Sequence, residues 1–162
     1  MTDQNTASAN RTEISKQGDR EILAERIFNA PREKVYETML DPELIPQWWG
    51  PHGTTTIVDE MKVETGGSWR FIARDENGDE TAFRGSYREV TAPERIVQTF
   101  EWEGMPGYIS VETAEFQDLG EQTKVVTTSI FHFQEDRDGM LGSGMERGMN
   151  ETFERLDALL AR

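Results

Sequence analysis

Hydrophobic and polar positions change their spacing along the chain, and each change marks an element. The run Glu21 to Phe28 reads as a first strand. Pro31 then supplies the fixed φ suited to a helix's first turn, and Val35, Tyr36, Met39 and Leu40 repeat at helical spacing until Asp41-Pro42 stops them. A second short helix is expected through Leu44, Ile45 and Trp48, ended by Gly50-Pro51. From Thr54 to Phe133, β-rich runs are separated by turn signals at Glu64-Thr65-Gly66-Gly67, Asp75-Glu76-Asn77-Gly78, Thr91-Ala92-Pro93, Gly104 to Gly107 and Leu119-Gly120, which predicts six further strands. Their connections are too short for crossover helices, so the strands form an antiparallel meander. Last, Met145, Met149, Phe153, Leu156 and Leu160 recur at intervals of four or three and define the apolar face of a long C-terminal helix. Residues 1–20 are polar and predict a disordered tail, leaving 21–162 as one α+β domain.

One hairpin can be set in register. Asp-Glu-Asn-Gly closes either as a two-residue turn on Asn77-Gly78 or as a three-residue loop with Gly78 left-handed. The second places Phe71 opposite Phe83, the first Phe71 opposite Arg84, so packing favours the three-residue loop. Arg70 then faces Arg84, a cost that Glu101 relieves if Phe83 pairs with Trp102 in the next hairpin. On this register Trp69, Phe71, Phe83, Tyr87, Phe100 and Trp102 share one face, and the other face is mostly charged or small. The C-terminal helix covers the aromatic face. A strongly curved sheet of about seven strands clasping that helix leaves a space between them. Its walls would be Trp49, Trp69, Phe71, Phe83, Phe100, Trp102, Met145, Met149 and Phe153, unless these side chains meet and pack as core.

Composition narrows the partners. Lys and Arg number 17 against 31 Asp and Glu, and the net charge of −14 repels phosphate backbones and anionic lipid surfaces, so neither nucleic acid nor membrane is expected. The chain has no Cys, which removes disulfides, thiolate nucleophiles and Cys-ligated metals together. The opening segment lacks the apolar core of a secretion signal and no stretch approaches the ~20 apolar residues of a membrane helix, which predicts a cytoplasmic protein. The sequence leaves a homodimer open.

The segments Ala30-Pro31-Arg32-Glu33-Lys34-Val35-Tyr36, Asp41-Pro42-Glu43 and Trp48-Trp49-Gly50-Pro51 resemble the opening of the START-like (SRPBCC) branch named for the activator of heat-shock-protein-ninety ATPase, in its single-domain bacterial type. Gly66-Gly67-Ser68-Trp69-Arg70-Phe71, Gly85-Ser86-Tyr87-Arg88-Glu89-Val90 and Pro93-Glu94-Arg95-Ile96-Val97 are similar to its strand motifs, and Gly144 to Leu160 to its closing helix. The resemblance runs from about Glu21 to Leu160 and implies the helix-grip fold of the birch-pollen allergens. Met149 stands where relatives often carry Trp; the smaller Met either enlarges the cavity or, on the favoured reading, is ordinary repacking. A fold hosts many activities, so the family name does not transfer a function. The eukaryotic-type activator carries an additional N-terminal domain that contacts the chaperone, which places chaperone interaction last among the readings.

Chemistry-bearing residues are few. His52 and His132 belong to no metal-ligand pattern, there is no H-E-x-x-H and no EF-hand loop, so no metal and no cofactor is expected. G-x-S-x-G is absent, and Gly142-Ser143-Gly144 lacks the spacing and the parallel βαβ unit of a phosphate loop. For proton transfer the candidates are Glu112, if it turns inward among apolar neighbours, and His52, if it borders the cavity mouth. The leading expectation is therefore a module that encloses a small apolar or aromatic molecule. The alternative is a cyclase, aromatase or hydrolase-type enzyme using the same cavity, and the third a co-chaperone-like interaction.

Overall fold

A computed structural model describes residues 11–162. One eight-stranded antiparallel sheet runs in the order β1-β2-β8-β7-β6-β5-β4-β3. Its strands are β1 (Glu13–Gln17), β2 (Glu21–Phe28), β3 (Thr55–Met61), β4 (Ser68–Arg74), β5 (Glu80–Thr91), β6 (Arg95–Trp102), β7 (Ile109–Asp118) and β8 (Thr123–Ile130). Helices α1 (Arg32–Met39) and α2 (Ile45–Trp48) follow β2, and α3 (Gln134–Gly142) and α4 (Met145–Leu160) follow β8. The expected register holds: Phe71 pairs with Phe83, Arg70 with Arg84, Phe83 with Trp102 and Arg84 with Glu101. The β4–β5 loop is closed by the Asp75 N–H donating to the Asp79 carbonyl at 3.0 Å, with Gly78 at φ +85°. On the charged face Arg84 Nε lies 3.0 Å from Glu101, and Arg70 takes Glu103 at 2.7 Å.

The meander adds β3 to β8 in sequence order, and the last strand closes against β2. Register shifts between Val58 and Glu60 and between Tyr87 and Glu89 insert extra residues that bend those strands and sharpen their twist. Gly85 lies under this bend. A Cβ there would run into the Thr99 carbonyl oxygen and the Trp69 indole nitrogen, so the absence of a side chain leaves the Trp69 indole its place against Gly85.

Two elements depart from the expectations. The polar tail through residue 20 is in part a strand: β1 pairs with β2 from Glu13 opposite Glu25 to Gln17 opposite Glu21, making eight strands. The first ten residues of that tail lie outside the described region. β1 is held by backbone pairing and by Thr12, which is buried, accepts from Arg26 Nη1 at 2.8 Å and donates its N–H to Asn150 at 3.2 Å. No hydrophobic pattern marks such a strand. The second is α3, whose buried residue is Arg137; its guanidinium donates to the carbonyls of Gly18 (3.1 Å) and Glu21 (2.9 Å) at the β1–β2 turn. A helix anchored by one cation has no apolar period to read.

Helix α4 divides in two along its length. Leu156 and Leu160 are buried with Phe28, Val35, Tyr36 and Ile45 in the core, while Met145, Gly148, Met149 and Thr152, earlier on the helix, line a cavity. Arg155 ties the helix to the loop after α2, its Nη1 donating to the carbonyls of Gly50 (3.0 Å), Pro51 (3.3 Å) and Thr54 (3.3 Å).

Candidate functional site

The aromatic residues of β4, β5 and β6 point into the concave side of the sheet because strand side chains alternate faces and the opposite face carries the ion pairs. They do not fill it. A cavity of about 530 Å³ remains between the sheet and the first half of α4, a volume suited to a small organic molecule. Trp49, Trp69, Phe71, Phe83, Phe100, Met145, Met149 and Phe153 line it. Trp49 meets Phe71 and Phe83 edge-on, with centroids 5.1 and 5.4 Å apart, so the rings brace one another around the space. Met39, Trp48, Met61, Tyr87 and Ile96 complete the apolar wall. The exposed residues among the lining, Pro51, Asp75 and Asp79, place the mouth between the loop after α2 and the β4–β5 hairpin.

Trp102 does not belong to this wall. It pairs with Phe83 as the register requires, but it ends its strand, is 42% exposed, and its indole lies against Gly104 in the following turn. The β6–β7 turn groups four exposed large hydrophobics, with Trp102, Met105, Tyr108 and Ile109 all between 42% and 56% exposed. His52 is likewise outside the cavity: it is exposed, its Nε2 3.7 Å from Glu154 and its backbone N–H donating to Glu151 at 3.1 Å.

Glu112 is inside. On β7 it shares the inward face with Ser110, Ala114 and Phe116, and it stands in register with Gln98 on β6 and Ser129 on β8. Glu112, Gln98 and Thr127 form a polar strip on an otherwise apolar cavity floor. The Ser129 hydroxyl donates to Glu112 Oε2 at a long 3.5 Å. Burial pushes the Glu112 carboxyl up from 4.5 to about 7, and the weak Ser129 hydrogen bond only partly opposes this. Tyr87, also on the wall, is raised further by burial and by Tyr36, so it stays neutral. The buried indole N–H groups of Trp48 and Trp69 and the Tyr36 hydroxyl have no acceptor among the described residues, and they are covered rather than presented to the cavity.

The raised carboxyl has a measurable consequence. The folded chain holds the Glu112 proton at pH values where the unfolded chain has released it. Its contribution is therefore fully present below about pH 4.5 and is lost as pH rises through about 7. Glu112→Gln keeps the shape without the charge. It is expected to match the native chain near pH 4 and to exceed it by on the order of 2–3 kcal/mol at about pH 8 in urea unfolding. An equal difference at both pH values would refute a buried proton.

No group of His, Cys, Asp and Glu side chains that could hold a metal ion occurs among the described residues, and none of their helices is long and apolar enough to cross a membrane. A family model described as activator of Hsp90 ATPase homolog 1-like protein matches residues 29–161. The chain belongs to that family. Solved structures of similar fold include a Rhodobacter sphaeroides protein (20% identity, TM-score 0.87, covering 93% of this chain and 99% of its own). An Arthrobacter aurescens protein gives 22% identity and a TM-score of 0.84, over 92% of this chain and 91% of its own. A Staphylococcus epidermidis protein gives 27% identity and 0.78, over 91% and 93%. The comparison with curated proteins finds no match. The fold is thus the curved-sheet helix-grip of this family, with the long helix at its C-terminus.

Proposed function

We propose that this protein binds a small apolar or aromatic molecule between the sheet and α4. The observation that carries the reading is the cavity of about 530 Å³ walled by aromatic and Met side chains, beside a cluster of buried core residues. Aromatic walls contribute dispersion over a large area, and Met side chains adapt to a ligand's outline, so shape and apolar burial supply the affinity.

The test uses Nile red, a neutral apolar fluorophore. One molecule per chain is expected to bind with enhanced emission, and Met149→Trp, which places a larger ring at the helix wall, is expected to weaken it about tenfold or more, worth roughly 1.4 kcal/mol. Absence of binding, or binding indifferent to Met149→Trp, would reject the cavity as its site.

Glu112 favours a second reading, a proton-transfer enzyme, because that role needs an ionisable side chain facing an enclosed apolar space with a pKa near neutrality. A cyclase or hydrolase-type step would be detected as turnover of a bound ligand that stops in Glu112→Gln while binding persists.

A further inference from the structure

We propose that the ligand is a lipophilic amine, bound as its ammonium form with the carboxylate of Glu112 as counter-ion and aromatic rings around the charge. The assignment rests on the reading that the cavity holds a small apolar ligand, and narrows its class.

The charge of the lining is one-sided. Asp75, Asp79 and Glu112 are the charged residues of the described wall, and no Lys, Arg or His contributes to it. A carboxylate, sulfonate or phosphate ester entering this space would meet two aspartates at the mouth and a third acid on the floor without a cation to pair with. An ammonium group meets the opposite situation, and the net charge of −14 adds a long-range field that draws cations toward the mouth.

Neutral ligands do not explain the floor. An apolar molecule held by dispersion alone would be served by another Val or Leu in the middle of β7, whereas the chain buries a carboxyl there with only Gln98, Ser129 and Thr127 as polar neighbours. Burying an ionisable group without a full set of partners is costly, and a ligand cation would supply the missing one. The rings supply the rest: Phe100 stands on β6 beside the strand of Glu112, Phe83 and Trp69 follow on β5 and β4 along the same cavity wall, and aromatic faces attract desolvated cations.

The groups facing Glu112 make its titration readable. From β6 and β8 they are Gln98, Ser129 and Thr127, and from β5 Tyr87, which burial keeps neutral together with Tyr36 of α1. Helix α2, the residue Trp49 that follows it and helix α4 turn Trp48, Trp49, Met145, Met149, Thr152 and Phe153 to the cavity, none of them titrating between pH 5 and 8. Binding an ammonium ion to the protonated acid releases one proton to solvent and leaves an ammonium–carboxylate pair. Amine affinity must then rise with pH up to the pKa of Glu112 and level off above it.

The experiment is calorimetric titration of the intact chain with phenylbutylamine, phenylbutanol and phenylbutyrate. At about pH 8 the amine is expected to bind at least tenfold tighter than the alcohol, and the acid weakest of the three. Amine affinity is expected to fall about tenfold per pH unit below 7, with proton release seen as a dependence of the heat on buffer ionisation enthalpy, while the alcohol stays level. Glu112→Gln is expected to bring the amine down to the alcohol and leave the alcohol within about twofold, the unchanged alcohol affinity showing that the cavity is intact. The assignment is overturned if the alcohol equals or beats the amine, or if amine affinity rises toward acid pH. It is also overturned if none of the three binds while Nile red does, an outcome that leaves the apolar cavity standing. Failure of Nile red as well would remove the underlying reading first.

Discussion

Replacing Phe28 with alanine is expected to lower the unfolding free energy by about 4 kcal/mol. Phe28 is wholly buried at the end of β2, and its ring meets Phe153 of α4 edge-on with centroids 5.3 Å apart. The same ring carries the Arg26 guanidinium 5.6 Å from its centroid. Truncation therefore removes the apolar burial of a full aromatic side chain, the edge-to-face contact and one face of a cation–π sandwich, and the neighbours are held by sheet pairing that resists collapse into the gap. Domains of this size are stable by about 5–15 kcal/mol, so the variant should remain folded at room temperature with a markedly lower urea midpoint. A loss below about 1.5 kcal/mol would mean that Phe153 swings into the cavity left behind.

Arg26→Ala is expected to cost about 3 kcal/mol near neutral pH and less in acid. The Arg26 side chain is only 2% exposed, pairs with Asp157 of α4 at 2.5 Å, donates to Thr12 and lies between the rings of Phe28 and Phe153. Burial already holds the Asp157 carboxyl above its ordinary range, with Arg26 pulling it back down. Without Arg26 the carboxyl rises further, so the folded variant keeps a proton that the unfolded chain loses. Stability of the variant should therefore be highest below the unfolded Asp pKa and decline as pH rises through the new folded value. Urea unfolding at pH 4 and about pH 7.5 measures this, and a variant equally destabilised at both would show that the loss is one of packing and of the Thr12 contact alone.

Period and register made most of the architecture legible. Strand β2 is read with its observed bounds, the six-strand meander follows from turn signals, and choosing Gly78 as the left-handed residue carries through to the pairing of Phe71 with Phe83 and Arg84 with Glu101. The elements that escape are those without apolar periodicity. β1 is built from backbone pairing and a buried threonine, and α3 from one buried arginine, and neither force leaves a hydrophobic pattern. At the site, face assignment places Trp69, Phe71 and Phe83 on the cavity wall, but it cannot see that Trp102 lies past the covered part of its strand and folds over Gly104. The inward face of β7 was ambiguous from alternation alone. Its partners decide it: Glu112 stands between Gln98 and Ser129, and Phe116 two residues beyond Ala114 is buried against Tyr36.

The division of α4 has an evolutionary consequence. Substitutions at Met145, Met149 or Thr152 alter the outline of the cavity while leaving Leu156 and Leu160, farther along the helix, to hold the sheet. The shape of the cavity can drift at these three positions with little penalty to folding, because Leu156 and Leu160 belong to the core and not to the cavity wall.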